Sequence, residues 1–112
     1  PQIGLNTSDI DEIQSRFYNV PMGVLIRAIQ DGGAGDLAGL KVGDIIIDIE
    51  GETITTAQEL HEVMDEYKAG DVIVLTVYRD GRDVKVKVTL QEDKSIPDSV
   101  KQNSNATGKN IT

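Results

Sequence analysis

The stretch "VIVLTVYRDGRDVKVKVTL", residues 72–90, limits the possible folds more than any other part of the chain. Its second half alternates valine with lysine, which makes one face of an extended strand apolar and the other charged. Asp80 and Gly81 stand between the two runs, and Asp-Gly in that setting is the strongest short-range sign of a tight hairpin. A hairpin with one apolar face needs further strands beside it. Three candidates precede it: "IGLNT" (3–7), "GVLIRAI" (23–29) and "DIIIDIE" (44–50). With one Phe, three Tyr and no Trp in 112 residues, the core has to be built from Ile, Val and Leu, a composition that favours strands.

Two segments carry helical signals. In "SDIDEIQSRFY" (8–18), Ser8 or Asp9 is expected to cap a short helix with Ile10, Ile13 and Phe17 on one face. In "TTAQELHEVMDEYKAG" (55–70), Thr56 and Glu59 have the spacing of a capping box. Leu60, Val63, Met64 and Tyr67 form an apolar stripe, and Gly70 is a stop signal, so the spacing predicts a helix over 57–68. From residue 95 the text turns polar, "SIPDSVKQNSNATGKNIT", with too little apolar surface to offset its ordering entropy. One domain over residues 1–94 and a disordered tail over 95–112 are expected, in a fragment of a longer protein. The predicted order is short strand, helix, two strands, helix and hairpin, which suggests a mainly β, partly open barrel capped by two helices.

Charge and composition exclude several functions. A net charge of −8, from 19 acidic and 11 basic residues, repels a phosphate backbone and argues against a nucleic-acid partner. No apolar run approaches the roughly 20 residues that cross a bilayer, so no membrane insertion is expected of this segment. Without cysteine there are no disulfides and no thiolate metal sites. A Ser-His-Asp triad would have to use His61, the single histidine, and no G-x-S-x-G segment accompanies it. The acids Asp9, Asp11, Glu12, Asp31 and Asp36 lack the spacing that wraps Ca²⁺, and "DGGAG" (31–35) lacks the Lys and Ser or Thr of a phosphate loop. No cofactor or metal is expected, and binding is a better reading than chemistry.

The remaining pattern resembles a known family. "GVLIRAIQDGGAGDLAGLKVGDIIIDIEGETITTAQEL" (23–60) is similar to the PDZ domains that follow the catalytic domain in HtrA-type, DegP/DegS-like serine proteases. The shared features are Gly23, Val24 and Leu25 at a strand start, Ala38, Gly39 and Leu40 after a helical turn, Gly43 to Ile46 entering the next strand, and Gly51 in a turn. "QIGL", Gln2 to Leu5, resembles the binding loop of that branch with Gln2 in place of an aromatic residue. "YNVPMGVLI" (18–26) matches it as well, whereas Gly32, Gly33 and Ala34 replace its usual Ser-Pro-Ala.

The resemblance implies a circularly permuted PDZ fold that takes the carboxyl ends of peptides as an added strand. It places the carboxylate on the loop Gln2, Ile3, Gly4 and Leu5, and the peptide strand against Leu5, Asn6 and Thr7. Leu60, His61, Met64, Tyr67 and Lys68 become the opposing helix, with Leu60, Met64 and Tyr67 as the pocket and His61 and Lys68 at its rim. It also implies a ligand with an apolar last residue, a partner protease domain in the same parent chain, and a parent acting in quality control outside the cytoplasm. Two alternatives stay open at this point. The same fold could gate a site-2 or carboxy-terminal processing protease, or the chain could carry a metal or catalytic site of its own.

Overall fold

The computed structural model describes residues 3–92. Gln2 and the expected tail, 95–112, lie outside the described residues. The order is β1 (Leu5–Ile10), α1 (Glu12–Tyr18), β2 (Gly23–Ile29), α2 (Ala34–Ala38), β3 (Ile45–Ile49), β4 (Glu52–Thr53), α3 (Ala57–Met64), β5 (Val72–Arg79) and β6 (Arg82–Thr89). One antiparallel sheet runs β1-β2-β3-β5-β6, with the two-residue β4 paired to β3, and the helices cap it. This is the open, mainly β architecture that the sequence predicts.

The hairpin forms as expected. All eight residues of β5 pair with β6, from Val72 opposite Thr89 to Arg79 opposite Arg82. Asp80 and Gly81 turn the chain with φ of 53° and 80°, both positive as a type I′ turn requires. Val86 and Val88 point into the core while Lys85 and Lys87 face solvent. The core is aliphatic: Ile26, Ile46, Ile49, Ile54, Ile73, Leu75 and Val77 are almost fully buried, joined by Leu60 and Met64 from α3.

Two boundaries differ from expectation. Ser8, Asp9 and Ile10 do not start a helix; they extend β1, paired to Leu25, Val24 and Gly23. The sheet contact outweighs the weak strand preference of Ser and Asp. Helix α1 starts later, capped by Asp11, whose side chain accepts from Gln14 N–H at 2.8 Å while Asp11 N–H donates back to the Gln14 side chain at 3.2 Å. The expected apolar face is therefore split: Ile10 is buried in the sheet, whereas Ile13 and Phe17 are 78% and 79% exposed.

The second correction concerns α3, which ends at Met64 rather than near residue 68. Glu66 N–H bonds back to Val63 O and Tyr67 N–H to Met64 O, tightening the last turn to i→i+3 spacing. Lys68 N–H is then taken by the Asp71 carboxylate at 2.8 Å. Local side-chain competition of this sort ends helices that propensity alone would continue.

The glycine-rich run after β2 is tied down by one ion pair. Asp44, 2% exposed, accepts from Arg79 Nε at 2.8 Å and Nη2 at 2.6 Å, and from Lys41 N–H at 2.9 Å. Arg79 also donates to Gly39 O at 3.1 Å, so this one guanidinium clips the end of α2 and the entry to β3 onto β5. Burial pushes the Asp44 carboxyl up, but the hydrogen bonds from Arg79 and Lys41, with their positive charges, outweigh it and hold the group below its ordinary value.

Candidate functional site

β1 is an edge strand, and α3 lies beside it. Its hydrogen-bonding pattern decides what that edge offers. Gln30 N–H donates to Gly4 O at 2.9 Å, so the next pair, Leu5 opposite Ile29, is a non-hydrogen-bonded one. The backbone N–H and C=O of Leu5 therefore point away from β2, towards α3. A bulge between Asn6 and Thr7, with Arg27 as the extra residue of β2, preserves this parity. Ile26 N–H is spent on Asp44 O at 2.9 Å, on the far side of β2, so Thr7 opposite it also faces outward. Asp9, two residues on, follows the same rule. Leu5, Thr7 and Asp9 thus present a free ladder edge.

A cleft of about 450 Å³ opens along this edge. On the strand side it is lined by Ile3, Gly4, Leu5, Asn6 and Thr7, and on the helix side by Ala57, Leu60, His61 and Met64. Ala28, Ile29 and Gln30 close it at the end of β2. Leu60 and Met64 are 4% and 3% exposed, so they form an apolar floor and belong to the core at the same time. His61 is exposed on the rim. A larger hollow, about 930 Å³, lies over the other sheet face, where Asp48, Glu50, Asp83, Lys85 and Lys87 mix both signs of charge. It lies away from β1 and α3, so it has no strand and helix facing each other.

At one end of the cleft the chain turns through Gly4, whose φ of 79° is readily available only to glycine. Among the described residues, the N–H groups of Ile3 and Gly4 have no protein acceptor. Counting Leu5, three consecutive N–H groups of this cleft-lining loop have no protein acceptor among the described residues, and a run of backbone donors is the kind of group that suits a carboxylate. Helix α2 supports this loop from behind: Gly35 N–H donates to Ile3 O at 2.8 Å. A Cβ at position 35 would sit 2.8 Å from Leu5 Cδ2 and 3.1 Å from Ile3 Cγ2, so glycine allows the helix to approach this closely.

Side-chain bonds set the start of α3. Thr56 accepts from Glu59 N–H at 3.2 Å, while the Glu59 carboxylate turns to Thr55, taking its N–H at 2.8 Å and its hydroxyl at 2.9 Å. The expected capping box is thus displaced by one residue on its return half. Hydrogen bonds from the Thr55 backbone, then from its hydroxyl, hold the Glu59 carboxyl below its ordinary value.

Of the residues singled out in the sequence, Ile3, Gly4, Leu5, Asn6, Thr7, Leu60, His61 and Met64 come together around this cleft. Tyr67 and Lys68 do not. Both lie past the end of α3, where Tyr67 packs half-buried against the core and Lys68 is exposed. Sequence reasoning missed Ala28, Ile29, Gln30 and Ala57, because their place depends on strand register and on the start of α3 facing β1. It also read Asp9 as a helix cap for its own segment; Asp9 instead caps α3, accepting from Ala57 N–H at 2.9 Å. Among the described residues no group of three His, Asp or Glu side chains could hold a metal ion.

An edge strand with outward backbone groups, a helix alongside it and a donor loop at its end define a peptide-recognition class of fold. The family model for the PDZ domain matches residues 1–90, and the chain belongs to the PDZ domain family. It is similar to the PDZ region of HtrA-type proteases. It is 30% identical over 98 residues to a serine protease Do-like HtrA of Lactobacillus helveticus, covering 81% of this chain and 24% of that protein. It is 36% identical over 90 residues to a probable periplasmic serine endoprotease, DegP-like, of Pseudomonas fluorescens, covering 77% of this chain and 19% of that protein. The chain therefore spans about a quarter or less of these relatives. Among solved structures, the HtrA3 PDZ domain bound to a phage-derived ligand, FGRWV, superposes with a TM-score of 0.68 at 20% identity, covering 79% of this chain and 82% of that one. The HtrA-type protease AlgW with a decapeptide gives 0.70 at 16% identity, covering 80% and 28%. At those identities the two structures speak for the fold.

Proposed function

We propose that this PDZ domain captures the free carboxyl end of a polypeptide as an added strand on β1. The observation that carries this reading is the free edge of Leu5, Thr7 and Asp9 running into the donor loop at Ile3 and Gly4, with an apolar floor alongside. The ligand runs antiparallel to β1, its carboxylate on the N–H groups of Ile3, Gly4 and Leu5. Its last side chain rests on Ile3, Leu60 and Met64, so an apolar last residue is favoured, and His61 meets a side chain further upstream. Tyr67 and Lys68 have no part in it. A strand of four or five residues binds with a Kd on the order of 10 to 100 μM, about −5.5 to −7 kcal/mol.

The parent protein, on this reading, is an HtrA-type serine endopeptidase of the cell envelope. This domain, residues 1–94, brings substrates or misfolded chains to a protease domain encoded elsewhere in it. The names of the relatives support that assignment over a site-2 or carboxy-terminal processing protease. The module itself supplies recognition and no chemistry. Isothermal titration with a five-residue peptide ending in valine, as free acid and as amide, tests the capture step. The free acid is expected to bind in the micromolar range and the amide at least about tenfold more weakly, the loss of charge-assisted hydrogen bonds being worth about 1.5–3 kcal/mol. Equal affinity for the two would refute carboxylate capture.

A further inference from the structure

One hydrogen bond joins β1 to α3 at the end of the cleft away from the donor loop. Asp9 Oδ1 accepts from Ala57 N–H at 2.9 Å, joining residues 48 apart in sequence, and among the described residues it is the only hydrogen bond between β1 and α3. Its position is specific. Asp9 is the outward-facing residue furthest from the donor loop, and Ala57 is the first residue of α3. The rest of the helix is held by apolar packing of Leu60 and Met64. The bond therefore ties the first residue of α3 to β1 by a directional contact that apolar packing alone does not supply.

We infer that Asp9 is a positioning residue that latches the far end of the peptide groove and sets the spacing between β1 and α3 there; this rests on the peptide-capture reading above. A strand added to β1 lies about 4.8 Å from it, so the helix must stand at one fixed distance to cover the ligand. With the carboxylate at Leu5, outward positions two residues apart place Thr7 beside the ligand residue two from its end and Asp9 beside the one four from its end. The latch thus governs the upstream half of a five-residue ligand, while the last three residues rest against the buried Leu60 and Met64.

The role needs an acceptor atom and not a charge, so the variants separate it from electrostatics. Wild type, Asp9→Ala and Asp9→Asn are compared by isothermal titration with a free-acid pentapeptide ending in valine and with its C-terminal tripeptide. The exchange rate of the Ala57 amide proton is measured by NMR in the absence of peptide. Removing a helix-start acceptor typically corresponds to about fivefold in an equilibrium constant. Asp9→Ala is therefore expected to weaken the pentapeptide by about fivefold and the tripeptide by less than about twofold, and to speed Ala57 exchange by a similar factor of about five. Asp9→Asn, which keeps the acceptor, is expected to rescue both readouts to within about twofold of wild type. Pentapeptide affinity unchanged in Asp9→Ala, or equal losses in Asp9→Asn and Asp9→Ala, would overturn the inference. Should wild type bind no free-acid peptide, the capture reading fails and the groove-setting role goes with it. The Ala57 exchange rate then still tells whether Asp9 holds the helix.

Discussion

Removing the Arg79 guanidinium leaves Asp44 as a buried carboxylate with only the Lys41 N–H to hold it. Breaking one side of a buried ion pair typically costs about 3–5 kcal/mol. The Arg79 side chain is 23% exposed, so water can enter where it stood and soften the loss. Arg79→Ala is therefore expected to destabilise the domain by about 2–4 kcal/mol at pH 7. A domain of this size has about 5–14 kcal/mol in all, so the change is large. The sign of its pH dependence follows from the lowered Asp44 value in the intact protein. A depressed carboxyl stabilises the fold above its unfolded pKa, about 3.9, and that contribution is lost as pH falls through the lower folded value. In Arg79→Ala, only the Lys41 N–H and charge still oppose burial at Asp44, so the group protonates more readily than in the intact protein and the penalty of a stranded charge shrinks in acid. Urea titrations of both proteins at pH 7 and pH 3.5, followed by circular dichroism, give the difference at each pH. It is expected to shrink at pH 3.5. A difference that stays constant between the two would show that lost packing, and not the ion pair, accounts for the effect.

The loop and the floor of the cleft give two further tests. Gly4→Ala forces a Cβ into a φ of 79° with Gln30 Oε1 only 3.2 Å away; a loss of about 1–2 kcal/mol in stability is expected from the left-handed backbone, together with weaker free-acid peptide binding, and unchanged binding by titration would clear the loop of a role. Met64→Ala empties a core position beneath the cleft; thermal unfolding is expected to show a loss of about 2–5 kcal/mol, and peptides ending in valine are expected to lose more affinity than peptides ending in phenylalanine, which can fill the space.

The parts of the fold that sequence disclosed are those where a periodic pattern and a local turn agree. "VKVKV" alternates because β6 is buried on one face only, and Asp80 with Gly81 can reverse the chain without help from the rest of the protein. The end of α3 was less legible, because Asp65, Glu66, Tyr67 and Lys68 read as a continuing helix until Asp71, brought round by the next turn, takes the Lys68 N–H. The clip between Asp44 and Arg79 had no local signal at all. Its partners stand 35 residues apart and meet because β3 and β5 are neighbours. The run "AGLKVGDIII" reads as chain-turning glycines, and its buried carboxylate emerges only with the register of the sheet.

Asp9 shows why the site was only partly legible. Ser8, Asp9 and Ile10 have the composition of a helix start, and a short peptide of that sequence would favour capping its own helix. In the folded chain, pairing with Gly23, Val24 and Leu25 claims those three residues for the sheet. That pairing lengthens the edge strand to six residues, enough to give outward backbone groups at Leu5, Thr7 and Asp9. It also sends the Asp9 carboxylate to the first turn of α3 in place of its own segment. Local preference and tertiary pairing conflict here, and the side that wins creates both the length of the edge strand and the bond to α3 at the groove's end. A substitution that restored the local preference, shortening β1 at Ser8, would remove the outward edge at Asp9 and the bond to Ala57 together.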